Sequence, residues 1–66
     1  MASYTVTGRT MTLDETTSAA WEDVGPDGAE VRKDLRRYAG LLAESLQTTV
    51  EIHSADGITL DAVTAQ

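Results

Sequence analysis

Carboxylates are the residues of this chain whose type and spacing invite chemistry. Between residues 14 and 31 stand Asp14, Glu15, Glu22, Asp23, Asp27 and Glu30 with no basic residue among them, a local charge of −6. Residues 32–37 reverse the sign, with Arg32, Lys33, Arg36 and Arg37 against Asp34 alone, and Glu44, Glu51, Asp56 and Asp61 follow. Negative potential gathered in this way attracts a positively charged macromolecule and steers its approach. The competing explanation is ordinary: helix N-termini favour carboxylates, and an acidic surface keeps a small protein dissolved. Capping accounts for Asp14 and Asp27 and for most of Glu30. It does not account for Glu15, Glu22 or Asp23.

The other reactive types are sparse. His53 is the one imidazole, beside Ser54, but neighbours along a strand point to opposite faces and so cannot act as a nucleophile–base pair. No catalytic residue is assigned, and an enzyme is not expected. No metal or cofactor is expected either, because the acids lack the alternating spacing of a calcium loop and a lone His needs further ligands. Arg32/Arg36 and Lys33/Arg37 each stand one helical turn apart, which invites a nucleic-acid reading. Against it stand six clustered carboxylates and the lack of an aromatic among the cations to stack a base. Glu30 with Lys33 and Asp34 with Arg37 are spaced to neutralise one another instead. Trp21, flanked by Glu22, is read as core, with an interface anchor as the alternative.

Sixty-six residues make one domain at most, and the net charge is −6. The absence of Cys removes disulfides, thiolate zinc sites and iron–sulfur clusters. Hydrophobic content of 41% is too high for a disordered tail. No apolar run approaches the length that crosses a bilayer, and no secretory leader is visible, so a cytoplasmic protein without membrane contact is expected. So small a core leaves little room for a large cleft.

The elements that must position these groups follow from periodicity. Residues 3–14 alternate, and the apolar parity switches at Gly8-Arg9. A two-residue turn there pairs Val6 with Met11 and Tyr4 with Leu13 on one face, leaving Thr5, Thr7, Thr10 and Thr12 on the other. Asp14 is placed to cap a short helix over 15–24 that docks Trp21 and Val24. A long helix is expected from Asp27 to about Gln47. An Asp27/Glu30 capping box would open it, and Val31, Leu35, Tyr38, Leu42 and Leu46 would form its apolar stripe. After it, a three-residue loop Ala55-Asp56-Gly57 pairs Ile52 with Leu60 and Val50 with Ala62, and leaves His53, Thr49, Glu51, Thr59 and Asp61 on a polar face. A lone hairpin is barely stable in water. The expected fold is therefore α+β: two hairpins in a four-stranded antiparallel sheet under one long helix, with a short helix before it. The remaining members of the expected core are Ile58 and the residues just paired.

In size, in the acidic run Asp14–Glu30 and in the hairpin–helix–hairpin order, the chain resembles small acidic proteins carried by phages and mobile elements, among them anti-CRISPR and anti-restriction inhibitors. The resemblance implies a DNA-mimic inhibitor or adaptor that occupies the basic channel of a nuclease or CRISPR complex subunit. The Arg32–Arg37 cluster departs from a pure mimic and confines any mimicry to another face. The expected partner-binding residues are Glu15, Glu22, Asp23, Asp27 and Glu30, assisted by Glu51 and Asp61. The alternative is a structural or antitoxin-like homodimer joined by strand edges or by the Thr-rich sheet face.

Overall fold

A computed structural model describes residues 4–65 of the chain. In chain order the elements are β1 (Tyr4–Thr7), β2 (Thr10–Leu13), α1 (Glu15–Glu22), α2 (Pro26–Leu46), β3 (Val50–His53) and β4 (Thr59–Val63). The protein is α+β, with one four-stranded sheet in the order β1-β2-β3-β4. The first hairpin has the register its alternation predicts, Tyr4 opposite Leu13 and Val6 opposite Met11, with Gly8 at φ 59 in the turn.

The sheet is mixed, which corrects the expectation of a fully antiparallel one. The two central strands β2 and β3 run parallel, Met11 beside Ile52 and Thr12 beside His53. The reason lies in the unequal helices. Eight residues of α1 advance the chain only about 12 Å, whereas the 21 residues of α2 span about 31 Å. One long return places β3 at the end of the sheet where β2 began, as in any crossover between parallel strands.

The second hairpin has the expected three-residue loop, with Gly57 at φ 86 donating its N–H to the Ser54 carbonyl at 2.9 Å. His53 opposes Thr59 in the expected register, but a bulge then intervenes and Ile52 opposes Asp61 and Val50 opposes Val63. Leu60 is the extra residue. The bulge corrects the expected pairs Ile52–Leu60 and Val50–Ala62, exchanging the exposed Ala62 for the larger, half-buried Val63 on the helix face.

The core comprises Met11, Leu13, Trp21, Leu35, Ala39, Ala43, Val50 and Ile52. Its sheet members all come from the two central strands, because an edge strand is covered on one side only. The buried residues of α2 are Gly28, which packs on the Asp23 backbone, and Leu35, Ala39 and Ala43, so that of the expected stripe only Leu35 is fully covered. Small side chains let the helix axis approach the sheet, and Val31 and Leu42 flank the contact. Several expected core residues are therefore exposed: Val6, Val24, Tyr38, Leu46 and Ile58. Val24, at 99% exposure, lies in the short link between the helices, not on α1.

Asp14 caps α1 as expected, its carboxylate accepting from the Thr17 N–H at 2.7 Å. The Asp27/Glu30 box does not form. Helix α2 starts one residue earlier with Gly25 as N-cap and Pro26 in the first turn, where its missing N–H costs nothing. Its end is closed by Gln47 in the left-handed region at φ 55.

Candidate functional site

The acidic stretch divides among three places. On α1, Glu15 and Glu22 are separated by seven residues and so project from one side of the helix. That side faces the β3–β4 turn across a cleft of about 370 Å³ lined by Glu15, Ser18, Ala19, Glu22, Asp56 and Ile58, with Ala55, Leu60 and buried Ser54 behind them. Three carboxylates thus surround an apolar floor in which Ile58 is 64% exposed. Among the described residues none of the three has an ion-pair partner.

The walls of this cleft are tied together. The Ala55 N–H donates to Ser18 Oγ at 2.8 Å, joining the turn to α1 across 37 residues of sequence. Ser54 Oγ accepts from the Asp56 and Ile58 N–H groups, each at 3.2 Å, and the Ser54 N–H donates to the Ile58 carbonyl at 2.8 Å. These bonds fix Asp56 and Ile58 relative to Glu15 and Glu22. Asp56, Ser18 and Ser54 were not among the residues expected at a site. Ser and Asp beside a Gly are common turn chemistry, and only the bulged hairpin and the packing of α1 bring them to the acids.

The remaining candidates are dispersed. Asp23 folds back on its own chain, its carboxylate accepting from the Gly25 N–H at 3.0 Å. Asp27 and Glu30 are exposed in the opening turns of α2, away from the cleft lining. The Glu51 carboxylate accepts from His53 Nε2 at 2.8 Å on the outer sheet face, where Thr59 Oγ1 also lies 3.2 Å from the same nitrogen. Asp61 does not join that face. The bulge at Leu60 turns it to the helix side, where Arg36 Nε donates to it at 2.6 Å. This hydrogen bond is the main cause that holds the Asp61 carboxyl below its ordinary value, against a smaller upward push from burial.

The basic cluster is also committed internally, but not by the helix pairs its spacing suggests. In place of Glu30–Lys33 and Asp34–Arg37, two cations leave their helix. Arg32 Nη1 donates to the carbonyls of Trp21 at 2.6 Å and Asp23 at 2.8 Å, closing the C-terminus of α1 with positive charge. Arg36 stacks over the Trp21 ring at 5.2 Å while binding Asp61, and Arg37 lies 5.5 Å from the Tyr38 ring. Trp21 is 7% exposed and belongs to the core. With Arg32 and Arg36 occupied, the face offers few free donors for phosphate.

Among the described residues no three His, Asp or Glu side chains converge to hold a metal ion, and no helix is long and apolar enough to cross a membrane. In comparisons with known proteins, no family model, no curated protein and no solved structure matches this chain.

Proposed function

We propose that this chain is a non-enzymatic binding protein, an inhibitor or adaptor, that receives a basic protein surface on the cleft between α1 and the β3–β4 turn. One observation carries the reading: among the described residues Glu15, Glu22 and Asp56 stand without ion-pair partners around exposed Ile58, on walls joined by the Ser18–Ala55 hydrogen bond. Unpaired acids around an apolar anchor suit a lysine- or arginine-bearing segment that buries its aliphatic stem on Ile58 and leaves its charge among the carboxylates. Asp27 and Glu30 extend the negative field, whereas Asp23, Glu51 and Asp61 are engaged within the chain and drop out of the contact set. A nuclease or CRISPR complex subunit with a basic nucleic-acid channel is the partner class that the likeness to phage inhibitors suggests.

The test begins with affinity capture of the partner and continues with titration of the purified pair. Reversing the rim with E22K and D56K should weaken binding by at least about tenfold, and raising salt should weaken it further. E44K on the far side of α2 should leave affinity unchanged. Equal affinity of the rim variant, with its circular dichroism unaltered, would remove this reading.

A further inference from the structure

The two edges of the sheet are built differently. Edge β4 carries a bulge at Leu60 and the charged Asp61, two devices that discourage a further strand from adding. Edge β1 carries neither. Its four residues, Tyr-Thr-Val-Thr, are uncharged strand formers in unbroken register with β2. Above this edge lies exposed apolar surface on the same side of α2. The Tyr4 and Tyr38 rings are 6.3 Å apart, and Leu41 follows Tyr38 by one helical turn. Tyr38, Leu41 and Val6 are 40%, 62% and 44% exposed.

We propose that β1 is a homodimer interface and that its occupant is β1 of a second copy, antiparallel across a twofold axis. The hydrogen-bonding pattern of the edge supports a second copy over an arbitrary strand. In a hairpin closed by a two-residue turn, the flanking pair Thr7–Thr10 exchanges both backbone bonds, and Thr5–Thr12 does so two residues on. The N–H and C=O groups of Tyr4 and Val6 therefore point outward. Setting Thr5 opposite Thr5 of the second copy places Tyr4 opposite its Val6 and Val6 opposite its Tyr4. Every outward group then meets one, in an aromatic–β-branched pair on the helix face. The same register keeps both long helices on one side of an eight-stranded sheet, with Tyr38 and Leu41 flanking the junction. A stable interface needs about 600 Å² from each copy, roughly one-seventh of the chain's 4363 Å² surface. A strand edge with a flanking helix supplies an area of that order.

Each copy carries a charge of −6, so association must overcome mutual repulsion and strengthens as salt rises. That sign is opposite to the one expected for a basic partner on the acidic cleft, so the two proposals stand or fall separately. Sedimentation equilibrium of the full chain from about 10 µM to about 1 mM should show the mass climbing from 7.1 kDa towards twice that value. Over the same range, amide exchange at Tyr4 and Val6 should slow while exchange at Thr10 and Thr12 stays constant. V6K and L41K should each remain at the monomer mass with unchanged circular dichroism. A wild-type chain that stays at 7.1 kDa throughout overturns the proposal. So does a dimer that survives both variants, including one that dissociates instead on T10K at the outer sheet face.

Discussion

Asp14, exposed, and Asp61, half-buried, show how two acids of the same intrinsic chemistry come to do different work. The backbone N–H of Thr17 is the leading cause of the lowered Asp14 pKa, whereas the Arg36 side chain is the leading cause for Asp61. Asp14→Ala should lower the melting temperature by about 5 °C, read by circular dichroism, because it orphans an N-terminal donor of a helix only eight residues long. For Asp61 the sign follows from the depressed folded value. Its contribution is fully present above the ordinary value of 3.8 and is lost as pH falls through the lower folded value. Asp61→Asn should cost about 0.5 kcal/mol at neutral pH, solvent screening included, and urea titrations in strong acid should find variant and wild type equal. The cap at Asp14 was legible in the sequence because a cap is a relation over three residues. The Arg36–Asp61 pair was not, since it spans 25 residues and depends on a bulge that reverses the face of Asp61.

Among the elements, α2 is where periodicity was most informative and also where it misled. The spacing of Val31, Leu35, Tyr38 and Leu42 located the helix, yet the residues of it that are wholly buried are Ala39 and Ala43. Large side chains advertise a face by hydrophobicity; small ones make the contact by letting backbones approach, which hydropathy does not register. The two interior glycines of α2 should respond oppositely to Ala. A Cβ on Gly28 would lie 1.9 Å from the Asp23 carbonyl oxygen, so backbone must move, and Gly28→Ala should destabilise by about 1–3 kcal/mol. A Cβ on Gly40 meets only Val63 Cγ1, at 3.9 Å. Gly40→Ala should therefore stabilise by about 0.5–1 kcal/mol through helix propensity. Paired denaturant curves test both. A stabilising Gly28→Ala would contradict the close approach of Gly28 to Asp23 at the α1–α2 junction, and a destabilising Gly40→Ala the open space beside Gly40.

At the scale of the molecule, excess negative charge opposes compaction. Of the sixteen Asp, Glu, Lys and Arg side chains, fourteen lie outside the Arg36–Asp61 salt bridge, the one Lys or Arg ion pair among the described residues. Raising salt at neutral pH from about 0.01 M to about 0.5 M should raise the melting temperature by a few degrees, as screening relieves repulsion more than it weakens the Arg36–Asp61 contact. A fall in melting temperature would mean that attractive pairs dominate the surface. The candidate site belongs to this scale too. Glu15 and Glu22 were marked by the sequence as acids that capping leaves unexplained, while Asp56 and Ile58 reached them only through the docking of a turn on α1.

Local rules therefore settled much of this protein: both hairpin loops, the first register, the cap of α1, the extent of the long helix and the order of the six elements. Each is a relation among residues a few positions apart, where backbone geometry and side-chain alternation leave few choices. Tertiary structure decided the parallel pairing of β2 with β3, the bulge at Leu60, the partners of Arg32 and Arg36 and the convergence of three acids on one cleft. Those outcomes depend on how far a helix of given length carries the chain and on which side chains fill the space beneath it, and both are properties of the assembled layers rather than of any segment.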